Sequence, residues 1–320
     1  MEQIFVIAPF SEEEKQKLCA AAPLCRVSFP SPEELESRIG EADMIVGNPP
    51  PALLRRAGRL RLLQLESSGA NQYAAPGVLP AGAQLACATG SYGPGIAEYL
   101  IAYTMSLFLR LPAYHDNQKQ GLWRDEGPVR SVAGSVALSV GMGDIGGEYA
   151  RRFYALGGTV IGVCRTARRK PEFVKELYRF EQLDELLPLA DVVALSLPET
   201  PQTVGLMDAR RLSLMKPGSI LLNAGRGSAV VTDNLLDALR SGHLGGAGLD
   251  VTAPEPLPPD HPLWKEPNCI ITPHISGGRH FAITRQRIFS ICLENVRIFA
   301  LGGTPTNLVD RSTGYLRSRP

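Results

Sequence analysis

Apolar residues gather in short runs along this chain, and between the runs apolar positions return every three or four residues. In the first third, runs at residues 4–7, 27–29, 44–47, 62–65 and 84–87 read as strands. The signature recurs at 135–140, 159–163, 192–197, 219–223, 247–251 and 269–271. Strands that alternate with helices build parallel sheets buried on both faces. Ser11 with Glu14 forms a capping box for a first helix, and Ser31-Pro32 places a capping hydroxyl and an N1 proline at a second. Residues 232–240 read as a helix that Gly242 closes. The pattern predicts α/β architecture with two doubly wound parallel sheets. The helical stretch 281–300 and the tail 307–315 show no sheet pattern and are expected to return to the first domain.

A loop at 89–95 leads into an apolar stretch, 96–114, read as one long helix at the crossing between domains. Its most apolar part, 99–111, is bounded by Glu98 and Arg110 and is shorter than the roughly 20 residues a bilayer span needs. Leu100, Ile101, Tyr103, Met105, Leu107, Phe108 and Leu109 surround much of its circumference, so it must bury more than one face. That makes it a packed or interface helix. A net charge of +1 with 20% charged residues leaves no basic face for nucleic acid and suits a small polar substrate. The six cysteines show no CxxC pair and no metal-like clustering with histidine, so they read as reduced, mostly buried thiols of a cytoplasmic protein. No signal peptide, membrane span or metal site is expected.

Between the runs at 135–140 and 159–163 lies Val140-Gly141-Met142-Gly143-Asp144-Ile145-Gly146, followed by helical spacing at 149–156. Strand, glycine turn and helix in that order suit a dinucleotide pyrophosphate. Gly141 permits the tight turn, Gly143 lets the backbone approach the ligand, and Gly146 allows close helix–sheet contact, while the helix N-terminus supplies N–H groups. Elsewhere, loops 47–51 and 67–71 follow strand ends, where open α/β sheets place ligands. The second offers successive N–H groups to an anion, although a Ser/Gly/Asn cluster is also ordinary turn chemistry.

Three polar residues stand at strand ends or in the loops after them: Arg226, Glu255 and His274. Arginine offers a planar fork for a carboxylate, histidine exchanges a proton near neutral pH, and a carboxylate orients the imidazole. Such a set suits hydride-transfer chemistry on a keto acid, although spacing does not establish that the three meet.

Joined to Gly141–Gly146, four further segments carry a resemblance: 197–203 (LPETPQT), 215–227 (MKPGSILLNAGRG), 248–256 (GLDVTAPEP) and 272–277 (TPHISG). With these the chain resembles the D-isomer-specific 2-hydroxyacid dehydrogenases, and particularly their NADP-type, glyoxylate/hydroxypyruvate reductase-like members. The resemblance implies a Rossmann nucleotide-binding domain, 96–281, inserted into a flavodoxin-like substrate domain, 1–95 and 282–320. It implies Arg226 as the substrate-binding arginine, Glu255 as the partner carboxylate and His274 as the general acid/base. Ser68, Gly69 and Ala70 become a substrate-carboxylate cradle, and Asp250 lies near the nicotinamide. Further cofactor contacts fall on Met142, Asp144, Ile145, Leu197, Pro198, Thr203, Ala224, Gly225 and Gly277, and the apolar helix becomes the seam of a homodimer.

Two departures matter. Many members end the second nucleotide-domain strand in an acid that accepts from the ribose 2′-hydroxyl; here Cys164-Arg165-Thr166 stands there, with Arg165 19 positions beyond Gly146. Arg165 and Thr166 suit a 2′-phosphate, with Arg168 or Arg169 adding positive potential, so NADP(H) is expected as the preferred cofactor with NAD(H) possible. Ala224-Gly225 suggests a more flexible arginine loop than the Ser/Thr versions. The expected activity is NADPH-linked reduction of a small 2-keto acid to a D-2-hydroxy acid. The alternative is a dinucleotide-sensing, corepressor-like interaction protein, since fold alone does not decide function.

Overall fold

The computed structural model describes residues 1–166, 169–278, 280–313 and 316–317. Arg168, expected to add positive potential, and the end of the tail at Tyr315 lie outside the described residues. The strands are β1 Gln3–Val6, β2 Arg26–Ser28, β3 Met44–Val46, β4 Leu62–Gln64, β5 Gln84–Ala86, β6 Val136–Val140, β7 Thr159–Cys164, β8 Glu176–Arg179, β9 Val192–Leu195, β10 Ile220–Asn223, β11 Gly246–Leu249 and β12 Cys269–Ile271. The helices are α1 Glu12–Ala21, α2 Pro32–Arg38, α3 Pro51–Leu54, α4 Asn71–Ala74, α5 Gly93–Phe108, α6 Leu111–Lys119, α7 Asp144–Ala155, α8 Leu183–Leu186, α9 Ala209–Leu214, α10 Thr232–Arg240 and α11 Ala282–Ala300. Contacts divide the chain into one unit of Met1–Tyr92 with Arg279–Pro320 and a second of Gly93–Gly278.

In the first unit the parallel sheet runs β2-β1-β3-β4-β5, the flavodoxin-like order. Side chains alternate across a strand, so Phe5, Ile45, Leu63 and Leu85 bury on one side with Leu35, Leu54 and Tyr73. Ile4, Val6, Met44 and Leu62 bury on the other with Leu18 of α1 and Ile288, Cys292 and Val296 of α11. The C-terminal helix therefore closes the sheet that opens the chain, and Leu308 of the tail bridges antiparallel to Ala86. The predicted capping box forms at Ser11/Glu14, and the capping hydroxyl expected at Ser31 forms a second box with Glu34. The thiols differ from expectation: none of the six is in a disulfide, but only Cys87 and Cys292 are buried, and Cys19 is exposed on α1, whose buried residue is Leu18.

The second unit holds a parallel sheet ordered β12-β11-β10-β9-β6-β7-β8. Counted from β6, this is the dinucleotide-fold order 3-2-1-4-5-6 with a seventh strand added. β8 was not anticipated. Its sequence, Glu-Leu-Tyr-Arg, carries exposed charges at both ends because it pairs only with β7 at the sheet edge, so no apolar run marks it.

The single helix expected over 96–114 is two helices. α5 starts earlier, at Gly93, and stops at Phe108; Arg110 takes a left-handed φ of 55° and α6 follows. Pro112 explains the break, because in a continuous helix its ring would collide with the carbonyl four residues back, that of Phe108. α5 lies close against β11. A Cβ on Gly248 would stand 2.7 Å from the Tyr103 ring, and one on Gly246 would stand 2.9 Å from Leu107. Among the described residues no helix is long and apolar enough to cross a membrane.

Candidate active site

In the second unit the residues singled out from the sequence gather at the carboxyl edge of the seven-stranded sheet. Strand order reverses between β6 and β9, the crevice position where such sheets bind ligands. The glycine turn leaves β6 there. Gly141 has φ +100°, and a Cβ on it would stand 2.8 Å from the Ser196 carbonyl oxygen. A Cβ on Gly146 would collide with the Gly141 carbonyl oxygen and with the hydroxyls of Ser196 and Ser139, so α7 sits against the sheet. Gly143 differs from both: it is exposed, caps α7, and has nothing within 4 Å of where a Cβ would be. Intrahelical bonding begins with Gly147 N–H to Gly143 O at 3.0 Å, so the first-turn N–H groups face out of the helix end. An open glycine at a helix start with outward N–H groups fits a dinucleotide pyrophosphate.

The structure assigns several expected cofactor residues other duties for their side chains. Met142 is 2% exposed and lies against Gly162 of β7, leaving only its backbone for a ligand. The Asp144 carboxylate accepts from Gly93 N–H at 2.9 Å and ties the start of α7 to that of α5. Thr203 is buried; its hydroxyl accepts from Thr200 N–H and donates to the Pro198 carbonyl, folding the 198–203 loop. Arg165 and Thr166 stand exposed beyond β7, and Gly277 adopts φ +65°.

Arg226 follows β10. The expected flexibility of its loop is corrected: Gly225 N–H donates to Asn223 Oδ1 at 3.0 Å, and Asn223 Nδ2 donates to the Arg226 carbonyl at 2.9 Å. Gly225 presses on Leu197 and Gly227 on Thr252, where Cβ atoms would clash with backbone. Two glycines thus wedge the arginine between neighbouring loops, and Ala224 is 7% exposed. Arg226 Nη1 donates to the Gly225 carbonyl at 2.8 Å, and among the described residues no carboxylate pairs with the guanidinium. Asn223 is the residue sequence reasoning missed here. Its signal was a polar side chain ending an otherwise apolar strand.

His274 and Glu255 do meet: Nδ1 lies 2.6 Å from Glu255 Oε1, and both side chains are about half exposed. With Nδ1 so engaged, the imidazole keeps Nε2 for another partner. The backbone of His274 is left-handed, φ 52°, which costs a non-glycine residue about 1–2 kcal/mol. Its N–H donates to the Asp250 carbonyl at 2.8 Å and approaches the Thr272 carbonyl at 3.0 Å, which offsets that cost. Asp250, expected beside the nicotinamide, is 2% exposed. Its Oδ1 accepts from Thr272 Oγ1 at 2.5 Å and from Ile275 N–H at 3.0 Å, and its Oδ2 from Ser276 N–H at 3.0 Å and from the Ser276 hydroxyl. The carboxylate holds the loop that carries His274.

In the first unit, Ser67 Oγ donates to the Gly69 carbonyl at 2.8 Å, and Ala70 is 3% exposed at the start of α4. Glu66 N–H donates to Asn48 Oδ1 at 3.1 Å, and Tyr73 OH to the Pro49 carbonyl at 3.1 Å. Residues on either side of the 67–71 loop are therefore bonded to the 47–51 loop, and Ser68 and Gly69 are part-exposed.

Residues 101–276 match the family model described as D-isomer specific 2-hydroxyacid dehydrogenase, NAD binding domain. The chain is 31% identical over 296 residues to a hydroxypyruvate reductase of Blautia hydrogenotrophica, covering 89% of this chain and 90% of that one. It is 32% identical over 281 residues to glyoxylate/hydroxypyruvate reductase A of Serratia proteamaculans, covering 85% and 87%. Among solved structures, the NADPH-dependent glyoxylate/hydroxypyruvate reductase of Sinorhizobium meliloti, in complex with NADP and sulfate, superposes with a TM-score of 0.83 at 29% identity, covering 98% of this chain and 100% of that one. Sheet order, the glycine turn, the His–Glu pair and these likenesses converge: the chain belongs to the D-isomer-specific 2-hydroxyacid dehydrogenase family.

Proposed function

We propose that this protein is an NADPH-linked reductase of small 2-keto acids, with glyoxylate and hydroxypyruvate foremost, yielding D-2-hydroxy acids. The observation that carries the reading is the 2.6 Å His274–Glu255 pair on the sheet edge that also bears the glycine turn and Arg226. The bound reduced nicotinamide supplies the hydride that reaches the keto carbon. His274, oriented at Nδ1 by Glu255, gives a proton from Nε2 to the carbonyl oxygen, and Glu255 stabilises the charged ring. Arg226 holds the substrate carboxylate with its planar fork and polarises the carbonyl. Ser68, Gly69 and Ala70 of the first unit offer N–H groups suited to a carboxylate. The relatives reported above are reductases and the catalytic pair is assembled, which favours the enzyme over a dinucleotide-sensing interaction protein. A steady-state screen of keto acids with both cofactors tests the reading.

NADPH is the favoured cofactor because Arg165 and Thr166 stand exposed beyond β7, where an acid would repel a 2′-phosphate, and because the S. meliloti structure holds NADP. One charge-assisted contact contributes about 1.5–3 kcal/mol, so kcat/KM with NADPH should exceed that with NADH by about 10- to 100-fold. Arg165→Ala should remove most of that preference and leave NADH use nearly unchanged; a preference that survives the substitution counts against this phosphate site.

The protein works in the cytoplasm as a homodimer. None of its cysteines is in a disulfide, and the α5–α6 region leaves Met105 and Leu111 40% and 49% exposed, with Trp123, shortly after α6, fully exposed. Apolar surface of that kind fits a second copy of the chain. Sedimentation at micromolar concentration should give twice the 34.6 kDa chain mass, and a 34.6 kDa species would reject the dimer.

A further inference from the structure

β12 ends at Ile271, so strand pairing does not fix the left-handed backbone of His274. The bonds that fix it centre on Asp250, and Thr272 links Asp250 to Tyr103 of α5. Asp250, just beyond β11, accepts from His274 N–H through its carbonyl and from Ile275 and Ser276 through its carboxylate. Thr272 Oγ1 donates to that carboxylate at 2.5 Å. A threonine hydroxyl has one proton, and it is spent there, so the 2.5 Å contact between Tyr103 OH and Thr272 Oγ1 is donated by the tyrosine. Burial pushes the Tyr103 phenol well above its ordinary range, which keeps it a donor. Tyr103 is itself fixed, its ring filling the space that Gly248 leaves on β11.

We infer that Tyr103 and Thr272, acting through Asp250, are positioning residues for proton transfer: they form a hydrogen-bonded brace from α5 to the His274 backbone. Glu255 sets how the imidazole ring is turned; the brace sets where the ring stands. The inference rests on the reading of His274 as the general acid/base. A catalytic group misplaced by about 1 Å can lose roughly 100-fold in rate, so a loosened loop should show in kcat.

The test compares Thr272→Val, Thr272→Ser, Tyr103→Phe and His274→Gln in the full chain, measuring kcat, the KM for NADPH and for hydroxypyruvate, and the melting temperature. Thr272→Val should lower kcat by about 10- to 100-fold with both KM values within about twofold, and Thr272→Ser should recover most of the loss. Tyr103→Phe, which removes one oxygen and keeps the ring packed, should lower kcat by at least about threefold even where its melting temperature is unchanged, and it decides the matter if Thr272→Val does not fold. Wild-type kcat in Thr272→Val or in Tyr103→Phe overturns the brace, as does a loss confined to KM or one that serine fails to rescue. Wild-type turnover in His274→Gln would instead remove the acid/base assignment, so the two failures are distinguishable.

Discussion

His274→Gln should lower kcat by about 10²- to 10⁴-fold, the usual cost of removing a general acid or base, while NADPH still binds. An amide N–H can donate to Glu255 in place of the imidazole but cannot exchange a proton. The glycine turn and Arg165, which fit the pyrophosphate and the ribose, lie after β6 and β7, whereas His274 lies after β12, so the substitution leaves those residues in place. Fluorescence titration with NADPH alongside steady-state turnover checks both halves. A variant retaining more than roughly a third of wild-type kcat would exclude His274 from the role.

Arg226→Lys should lower kcat/KM by about 10- to 100-fold, the worth of one charge-assisted hydrogen bond of the bidentate pair. The structure sharpens why lysine is a poor substitute. The Gly225 carbonyl engages Nη1 at 2.8 Å, and Asn223 clamps the main chain on either side of the arginine. That arrangement aims a planar fork, whereas an ammonium on a flexible stem presents one rotating point charge. Kinetics with a short keto acid decide it, and an unchanged kcat/KM would put Arg226 outside the substrate's reach.

What the sequence made legible was whatever local pattern encodes. Buried parallel strands write themselves as apolar runs, so β1 to β7 and β9 to β12 were visible within a residue or two, and capping chemistry marked α1 and α2. β8 was not, because an edge strand with solvated ends needs no apolar run. The break between α5 and α6 was signalled by Pro112 but hidden under apolar content that continues through Leu111. Arg226, Glu255 and His274 were singled out by their places at or after strand ends and given roles by the family resemblance, since no spacing rule brings together two residues 19 apart; the 2.6 Å contact is made by loops leaving adjacent strands. Asn223, Tyr103 and Thr272 stayed silent for a related reason. Each acts by a hydrogen bond whose partner is defined only once β10, β11, β12 and α5 are packed, and nothing in the local pattern marks that bond.

The most direct test of the central claim is reduction of hydroxypyruvate by the purified full chain, followed by NADPH absorbance and by chiral analysis of the product. The account predicts NADPH oxidation matched one for one by D-glycerate, with a kcat/KM about 10- to 100-fold above that with NADH. L-glycerate, or no oxidation of NADPH with hydroxypyruvate, glyoxylate or other small 2-keto acids, would contradict it.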